Sequence, residues 1–304
     1  MTTSDPSVAI ILLNWNGGED TLACLASLKS VDYPDFKVLV VDNGSTDGSL
    51  NAIRGHFPEI VVLELGQNLG FVQGNNIGLE WAIGQGFDFA LLLNNDTWVS
   101  PEFLTSLAAA LRADDRVAAA GPTIYYADQP DVIWSAGGEI DWKRGRTFMR
   151  NMDERDHGQL GGAPREVDFV TGCALLVRLE VVRRIGLLDP RFFAYYEETE
   201  WCLRMGRAGY RILHVPSARI WHRITPQARE ASPRVAYYMA RNRLLFLKLA
   251  RAGMRSWFYT LFLDYARTLL SWTIKPRWRN KSQQRRAMIQ GILDYSRGHF
   301  AEWN

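Results

Sequence analysis

Cysteine is scarce in this chain of 304 residues, which contains three, Cys24, Cys173 and Cys202. Their odd number and wide spacing favour reduced thiols in a cytosolic protein over a disulfide framework or a zinc site. Long apolar runs are also lacking, because none reaches the roughly 20 residues that span a bilayer. Residues 1–7 do not have the basic and apolar regions of a secretory signal. We therefore predict a cytoplasmic protein without a membrane-spanning segment.

Neither sign of charge predominates. Lys and Arg number 35 and Asp and Glu 33, which gives a net charge of +2. The hydrophobic fraction of 47% and the charged fraction of 22% are typical of a globular protein. Basic residues concentrate in the C-terminal tail, and no nucleic-acid recognition module is visible, so we predict no nucleic-acid partner.

The first 120 residues alternate between β-type apolar runs and helical patterns. The β-type runs are Val8–Leu13, Val38–Val41, Ile60–Leu63, Phe89–Leu93 and Val117–Ala120. This alternation predicts right-handed βαβ units and a mainly parallel central sheet flanked by helices. Ligands of such sheets bind at the carboxyl ends of the strands, and here those ends carry the polar residues.

The rest of the chain follows a different pattern. Residues 122–162 are irregular and glycine-rich, which indicates a β-rich excursion with a mobile loop. Val167–Val177 reads as a strand with a kink at Thr171-Gly172-Cys173. After Pro233 the pattern is helical. We therefore predict a boundary near residue 230, with one domain at residues 1–230, in parts of about 1–120 and about 121–230, and a helical region at 231–304.

Asp42 ends a buried strand and opens a turn rich in Gly and Ser. A carboxylate in this position can accept a hydrogen bond from the imide of uracil or thymine, or from a ribose hydroxyl. The alternative is a helix-capping or turn aspartate. Asp42 alone does not decide between them.

A second apolar strand runs directly into Asn94-Asn95-Asp96. This arrangement brings oxygen ligands to the edge of the sheet, where Mg²⁺ or Mn²⁺ could be held by carboxylate, phosphate and water. Such a cation would offset charge on a leaving diphosphate. A polar junction between strand and turn is the alternative interpretation.

Three acids, Glu197, Glu198 and Glu200, lie among aromatic residues. A carboxyl group that is partly desolvated has a raised pKa and can act as a general base. Acids also favour the first turn of a helix because of its dipole. Both interpretations can hold, with different glutamates in each role.

Five segments, taken in order, carry a family resemblance. They read VAIILLNWN, VLVVDNGSTDGS, NLGFVQGNNIG, LLLNNDT and FFAYYEETEWCLR. Together they resemble the family 2 glycosyltransferases, and within these the bacterial rhamnosyltransferases of cell-surface polysaccharide synthesis. The resemblance runs from Val8 to about Lys248. It implies the α/β GT-A fold of nucleotide-diphospho-sugar transferases, with a helical C-terminal extension. Residues 1–230 would then be the catalytic domain, with a donor half at about 1–120 and an acceptor half at about 121–230.

The resemblance also implies a donor site. Asp96 stands at the family's Asp-x-Asp metal motif, but Asn94 replaces the first aspartate, so Asp96 would bind Mg²⁺ or Mn²⁺ almost alone. His222 would be structural on its own context, whereas the resemblance places it near the diphosphate as a second metal ligand. The implied nucleotide-binding residues are Asn14, Asn16, Asp42, Asn68, Gly70, Phe71, Asn75 and Asn95.

On the acceptor side, the resemblance implies that Glu198 replaces the family's usual aspartate as catalytic base. The longer side chain moves the carboxylate outward, so Glu197 is the alternative base. The segment ARNRLLFL, which starts at Ala240 and has Arg241 as its second residue, is similar to the family's Arg-Asn helix start. Arg241 would then contact a phosphate or form a salt bridge.

The implied reaction is inverting transfer of a sugar, with rhamnose suggested by the subgroup, from a dTDP or UDP donor to a hydroxyl of a glycan or lipid-linked glycan. A non-catalytic nucleotide- or sugar-binding module is the alternative. A dinucleotide oxidoreductase is disfavoured because the first turn reads NWNGGE instead of GxGxxG.

The C-terminal tail combines an aromatic-rich apolar stripe with a basic cluster. One interpretation is a helix packed on the catalytic domain or on a second copy in a homodimer. The other is peripheral contact of residues 254–286 with anionic lipid. The stripe consists of Met254, Trp257, Phe258, Leu261, Phe262, Tyr265, Leu269 and Trp272, and the cluster of Lys275, Arg277, Arg279, Lys281, Arg285 and Arg286.

Overall fold

The computed structural model describes residues 5–224 and 232–303, except for the side chain of Arg279. Strands and helices alternate as far as α4, which confirms the predicted βαβ pattern. The strands are β1 Val8–Asn14, β2 Phe36–Asp42, β3 Val61–Glu64, β4 Phe89–Asn94, β5 Thr97–Val99, β6 Val117–Tyr126, β7 Gln129–Ser135, β8 Gly138–Asp141, β9 Arg146–Met149, β10 Arg165–Glu166, β11 Ala174–Arg178 and β12 Arg211–His222.

The helices flank the sheet and make up most of the described part of the C-terminal region. A π-helical segment, Tyr259–Ala266, joins α8 to α9, so that residues 254–274 form one continuous helical segment. The helices are α1 Gly18–Leu28, α2 Ser49–His56, α3 Gly70–Gly84, α4 Phe103–Ala113, α5 Leu179–Ile185, α6 Glu197–Arg207, α7 Pro233–Leu249, α8 Met254–Phe258, α9 Arg267–Ile274 and α10 Ser282–Arg297, with 3₁₀ turns at Pro190–Phe192 and Pro276–Lys281.

The main sheet has the strand order β10-β12-β6-β11-β4-β1-β2-β3. The half built from the N-terminal strands, β3-β2-β1-β4, is parallel. Strand β11 joins this half antiparallel to β4. The register places Asn14 opposite Asp42 and Leu13 opposite Asn94. The polar ends of three strands therefore meet at one edge of the sheet, as the sequence predicts.

Strand β1 is apolar throughout because both of its faces are covered. Ala9 and Ile11 pack in the core layer on one side, and Val8, Ile10 and Leu12 pack in the layer on the other side. Each of these side chains is fully buried. Burial of a large aliphatic side chain contributes about 1.5–3 kcal/mol, so both layers hold this strand in place.

Helix α3 approaches β1 closely through two glycines on one of its faces. A Cβ atom at Gly74 would lie 2.3 Å from a methyl carbon of Leu13, and one at Gly78 would lie 2.5 Å from a methyl carbon of Ile11. Larger side chains would push the helix away from the strand. The glycines of NLGFVQGNNIG therefore set how closely α3 approaches the strand end.

The segment predicted as a kinked strand, Val167–Val177, turns at the predicted kink, residues 171–173. Only the part after the turn, Ala174–Arg178, forms a strand, so the prediction is wrong for the part before it. Before the turn, Phe169 forms an isolated bridge with Gly138. Continuous apolar character predicts one strand, but here it serves two different neighbours.

The C-terminal helices pack on the catalytic core. Leu245, Phe246 and Leu247 of α7 belong to the same buried cluster as the sheet residues Ala9 and Ile11. Helix α10 packs along α7 in turn. The boundary predicted near residue 230 lies outside the described residues, but the helical region beyond it shares the core of the catalytic region.

Candidate active site

A buried network of polar side chains joins the ends of β1 and β2; we call it the strand-end network. The Nδ2 atom of Asn14 lies 2.8 Å from Oδ2 of Asp42, 3.0 Å from Oγ of Ser45 and 3.0 Å from Oγ of Ser49. The hydroxyl of Thr21 donates to Oδ1 of Asn14 at 2.8 Å. The network exists because the parallel register brings the two strand ends side by side.

Asn95 and Asp42 complete this network. The Asn95 amide donates to the hydroxyl of Thr21 at 2.7 Å, so its side chain braces α1. Asp42 is 3% exposed and accepts the backbone N–H of Ser45 at 3.0 Å. A carboxylate has about four lone-pair positions, so Asp42 keeps the capacity to accept one more hydrogen bond.

The turn after β1 is held open by Asn16, whose φ of 51° lies in the left-handed region. Its side-chain oxygen accepts the backbone N–H of Thr46 at 2.7 Å, and its own N–H donates to Ser45 at 3.0 Å. The Trp15 ring is left 49% exposed. Trp15 was not a predicted site residue, although an aromatic residue directly after a strand end was a visible signal.

A cavity of about 300 Å³, which we call the small cavity, lies beside this turn. Its lining includes Trp15, Asn43, Asn68, Gly70 and Phe71. The Asn43 amide donates to Oδ1 of Asn68 at 2.9 Å, and Oδ1 of Asn43 accepts the N–H of Leu69 at 2.9 Å. These bonds fix the loop before α3. Asn43 is a further residue that the sequence prediction missed.

Phe71 and Asn75 occupy different positions although both were predicted to bind nucleotide. Phe71 lines the small cavity and also the large cavity described next. Asn75 is buried, and its amide donates to the carbonyl of Phe71 at 2.9 Å within α3. Asn75 therefore supports the helix without being one of the residues that line either cavity.

The large cavity has a volume of about 650 Å³ and joins the metal motif to the acidic motif. Five predicted site residues line it, namely Phe71, Asp96, Glu197, Glu198 and His222, together with Asn94 of the metal motif. Lining residues that the prediction missed include Tyr126, Trp134, Met149, Met152, Asp153 and Thr171. These come from the irregular region after β6 and from the turn before β11, whose sequences carry no motif.

Asp96 and His222 meet because β5 pairs with β12, with Thr97 opposite His222. Nε2 of His222 lies 3.0 Å from Oδ1 of Asp96 and 3.5 Å from the amide nitrogen of Asn94. Apart from His222, the buried Oδ1 atom of Asp96 has no hydrogen-bond partner within the described residues. A buried carboxylate oxygen left in this state is suited to a cation.

The electrostatics of His222 reflect three neighbouring effects. Burial by itself lowers its pKa, whereas the Cys173 sulfur and the Asp96 carboxylate raise it, and the net direction is upward. Burial also raises the pKa of the Cys173 thiol, which is therefore uncharged near neutral pH. We attribute the raised pKa of His222 to the negative charge of Asp96.

The three acids of the aromatic motif separate into two roles at the start of α6. Glu200 forms an ion pair with Arg204 at 2.8 Å. Glu197 and Glu198 both face the large cavity, and their Oε2 atoms are buried without a hydrogen-bond partner among the described residues. Burial raises the pKa of Glu198 to about 7. Burial and then the Glu198 carboxyl raise the pKa of Glu197 well above its ordinary value.

The segment leading into these acids has an unusual backbone. Phe193, Tyr195 and Tyr196 have φ angles of 64°, 70° and 73°. Such values cost side-chain-bearing residues of order 1–3 kcal/mol each and persist only where surrounding contacts hold them. The strained turn directs the first residues of α6, including both glutamates, toward the cavity.

Arg241 and Asn242 of α7 hold this strained segment. The Asn242 amide nitrogen lies 2.8, 2.7 and 2.9 Å from the carbonyl oxygens of Phe192, Ala194 and Tyr195. The Arg241 guanidinium donates to the Phe192 carbonyl at 3.0 Å and is fully buried. This position does not fit the predicted phosphate contact or salt bridge of Arg241, because its donors are directed at backbone carbonyls.

Comparison with known proteins gives consistent results for sequence and fold. The sequence model of the family described as glycosyl transferase family 2 matches residues 7–186. An N-acetylglucosaminyl-diphospho-decaprenol L-rhamnosyltransferase of Mycobacterium tuberculosis is 28% identical over 233 residues, which cover 70% of this chain and 75% of that protein. A dTDP-rhamnosyl transferase, RfbF, of Shigella flexneri is 24% identical over 269 residues, covering 86% of each.

Two solved structures share the fold. GalNAc-T7 with UDP, GalNAc and Mn²⁺ superposes with a TM-score of 0.65 at 14% identity, covering 97% of this chain and 56% of that chain. The mannosyltransferase of Pyrobaculum calidifontis with GDP-Man and Mn²⁺ gives a TM-score of 0.59 at 14% identity, covering 97% of this chain and 88% of that chain. These similarities confirm the predicted GT-A fold.

Proposed function

Because the chain belongs to glycosyl transferase family 2, we propose that it transfers a rhamnosyl group from dTDP-rhamnose to a hydroxyl of a lipid-linked glycan. The names of two similar proteins support this donor and acceptor. One is an L-rhamnosyltransferase named for N-acetylglucosaminyl-diphospho-decaprenol, and the other is a dTDP-rhamnosyl transferase. The observation that carries catalysis is that Glu197 and Glu198, whose Oε2 atoms are buried without a hydrogen-bond partner among the described residues, share one cavity with Asp96.

Glu198 is the proposed general base. With a pKa of about 7 it is ionised in a large fraction of molecules at neutral pH and can accept a proton from the attacking hydroxyl. The acceptor oxygen then bonds to the anomeric carbon while the bond from that carbon to the diphosphate oxygen breaks. The diphosphate leaves with the electron pair, and one displacement inverts the configuration. Glu197 remains the alternative base.

Asp96 fits a site for Mg²⁺ or Mn²⁺ because its buried Oδ1 atom has no partner among the described residues other than His222, itself a possible ligand. The two structures that share the fold were solved with Mn²⁺. No cluster of three or more metal-binding side chains occurs within residues 5–224 and 232–303, so donor phosphates and water would complete the shell. A cation bound there would supply positive charge beside the leaving diphosphate.

The nucleotide would occupy the small cavity and the edge of the strand-end network. Asp42 retains acceptor capacity for a base imide or a ribose hydroxyl, and the exposed face of Trp15 can stack on a base. Asn16, Asn68 and Gly70 shape this region through the turns that they hold. Asn14 and Asn95 act through the network.

The enzyme would work at a membrane surface, since the lipid of such an acceptor remains in a bilayer. Peripheral contact through residues 254–286 fits this proposal. A homodimer through the same region is the competing arrangement, because either partner would cover its apolar side chains.

The test measures release of dTDP from dTDP-rhamnose in the presence of Mn²⁺ and an N-acetylglucosaminyl-diphospho-prenol acceptor, with UDP-sugars as comparison donors. We expect acceptor-dependent release with dTDP-rhamnose and inverted configuration in the product. Nucleotide binding without release under any donor would support the alternative, a non-catalytic binding module.

A further inference from the structure

The helical segment 254–274 has two different faces. Its inner face places Trp257, Leu261, Tyr265, Leu269 and Trp272 in a cluster with residues of α7 and α10. The outer face is apolar as well but has no partner within the described residues. It carries Met254, Phe258, Phe262, Leu270 and Ile274, which are 89%, 56%, 60%, 60% and 66% exposed. The inner face already provides the packing that stabilises the helix, so the outer face serves another purpose.

The outer residues form one continuous row. Met254, Phe258 and Phe262 recur every four positions, as do Leu270 and Ile274, and Ala266 occupies the intervening position. Residues four apart lie on the same side of a helix. Monomeric soluble proteins seldom expose apolar patches of this length unless they bind a partner or a membrane.

The tip of the β8–β9 hairpin extends this row. Trp142 and Phe148 are 41% and 45% exposed. The hairpin is fixed beside α8 because the Ser256 hydroxyl donates to the Trp142 carbonyl and Arg243 donates to the Gly145 carbonyl at 2.6 Å. The hairpin and the helical segment therefore present their apolar side chains as parts of one rigid body.

Charge around the row is almost entirely positive. Residues 254–286 contain eight Lys or Arg side chains and one acid, Asp264. Asp264 pairs with Arg243 at 2.7 Å, which neutralises it. The two acids of the hairpin, Glu139 and Asp141, pair with Arg150 at 3.4 Å and Arg144 at 3.2 Å. The hairpin also carries two exposed basic residues, Lys143 and Arg146. A second copy of this surface would bring like charges together, whereas anionic lipid head groups would complement them.

None of the helices within residues 5–224 and 232–303 is sufficiently long and apolar to cross a bilayer. An apolar row bordered by basic residues on a helix of this kind is suited to lie in the plane of the interface. The large cavity is near, because Met149 lines it while the preceding residue of β9, Phe148, is exposed at the surface.

We propose that the outer row of segment 254–274 and the β8–β9 tip together form a lipid-facing surface that binds anionic bilayers and holds the large cavity at the level of the head groups. The surface consists of Trp142, Phe148, Met254, Phe258, Phe262 and Ile274, with a basic border. Only the assignment of a lipid-linked acceptor to the cavity rests on the proposed function.

The experiment is flotation of the full chain with phosphatidylcholine vesicles, with and without phosphatidylglycerol, in the absence of donor and acceptor. We expect binding that requires phosphatidylglycerol and weakens with salt. The double variant Phe258→Gln/Phe262→Gln should reduce the partition coefficient at least about tenfold, since each exposed ring contributes roughly one such factor when buried in lipid. Trp142→Gln should reduce it by a smaller factor.

The control is Ile289→Gln/Leu293→Gln, a pair with the same spacing and 40% exposure on α10. It should float like the wild type. Equal loss in both double variants, or binding that ignores lipid charge, would overturn the surface as defined here. A dimer seen in solution without lipid and dissociated by the Phe258/Phe262 variant would overturn it in favour of a second copy.

Failure of this surface is distinguishable from failure of the proposed function. Transfer to a short-chain, water-soluble acceptor needs no bilayer, so the Phe258/Phe262 variant should keep it while losing flotation. Loss of both in that variant would point to misfolding, which near-ultraviolet circular dichroism detects, and the Trp142→Gln variant then tests the surface independently.

Discussion

The strand-end network and the acidic side of the large cavity differ in how their buried polar groups are hydrogen-bonded. In the network, the side chains of Asn14, Asp42 and Asn95 hydrogen-bond one another and their neighbours in the protein interior. Across the cavity, the Oε2 atoms of Glu197 and Glu198 are equally buried but have no partner, and the preceding backbone is strained. The first arrangement is typical of a rigid support, and the second of groups kept reactive by their surroundings.

The comparison shows which contacts hold the side chains of each region in place. The network is stabilised by its own bonds, which the sheet register creates. The two glutamates are positioned from outside, by Asn242 and Arg241 of a helix about fifty residues further along the chain. Each of the following substitutions tests one side of this contrast.

Glu198→Gln should have the largest effect. Removal of a general base lowers turnover by about 10²–10⁴-fold, while affinity for the nucleotide should change little because the small cavity is untouched. Steady-state kinetics and calorimetry with dTDP measure the two quantities. Glu197→Gln is the matched control, and a larger loss in that variant would make Glu197 the base.

Asp96→Asn should follow, with turnover reduced on the order of 10²-fold, since a neutral amide binds Mg²⁺ or Mn²⁺ weakly. Calorimetric titration of dTDP with and without Mn²⁺ should show metal-dependent affinity in the wild type only. Unchanged metal dependence in Asp96→Asn would remove this residue from the proposed site. Asn94→Ala should reduce turnover much less than Asp96→Asn does.

Asp42→Asn tests the network side. One of the two terminal atoms would become an NH2 donor, so the side chain could no longer accept from Asn14 and from the N–H of Ser45 on separate oxygens. We therefore expect nucleotide affinity to fall about tenfold and turnover at saturation to stay within about twofold. Ser45→Ala, which removes one bond of the network and leaves the carboxylate, is the control. Wild-type affinity in Asp42→Asn would contradict a direct contact with the nucleotide.

Asn242→Ala tests whether positioning from outside matters. The carbonyls of Ala194 and Tyr195 would lose this donor, while that of Phe192 would keep Arg241. We expect a fall of about tenfold in kcat with little change in the KM for the sugar donor. The pH dependence of activity should also shift, because the burial of Glu198 depends on this turn. Met239→Ala on the same helix is the control. A loss of stability with an unchanged pH profile would limit Asn242 to a structural role.

The smallest effect concerns stability and pH. The pKa of Glu198 is raised from its ordinary value of 4.5 to about 7 in the folded protein, so between these pH values the folded state binds more protons than the unfolded state. The free energy of unfolding should therefore decrease as pH rises through this window. Glu198→Gln should make the free energy of unfolding less dependent on pH and raise it by about 1–3 kcal/mol at pH 8, as measured by urea denaturation. An unchanged dependence would mean that Glu198 has an ordinary pKa.

Much of the donor side could be predicted because its signals are local. The apolar run of β1 followed by Asn14, and that of β2 followed by Asp42, place both residues at strand ends, and parallel pairing does the rest. The acceptor side was predicted less completely. The motif identified three acids, but only the ion pair with Arg204 separates Glu200 from the two that face the cavity.

The sequence by itself determined the alternation of strands and helices and the residues at the strand ends, because these depend on periodicity and on neighbours along the chain. The GT-A fold was implied by the resemblance of the ordered motifs to a known family. The tertiary structure alone decided that Arg241 supports a backbone turn, which residues beyond the motifs line the large cavity, and which face of segment 254–274 is left uncovered. These outcomes depend on contacts between residues far apart in the chain, such as Arg241 with Phe192, and a side chain's chemical role follows from the atoms within about 3 Å of it.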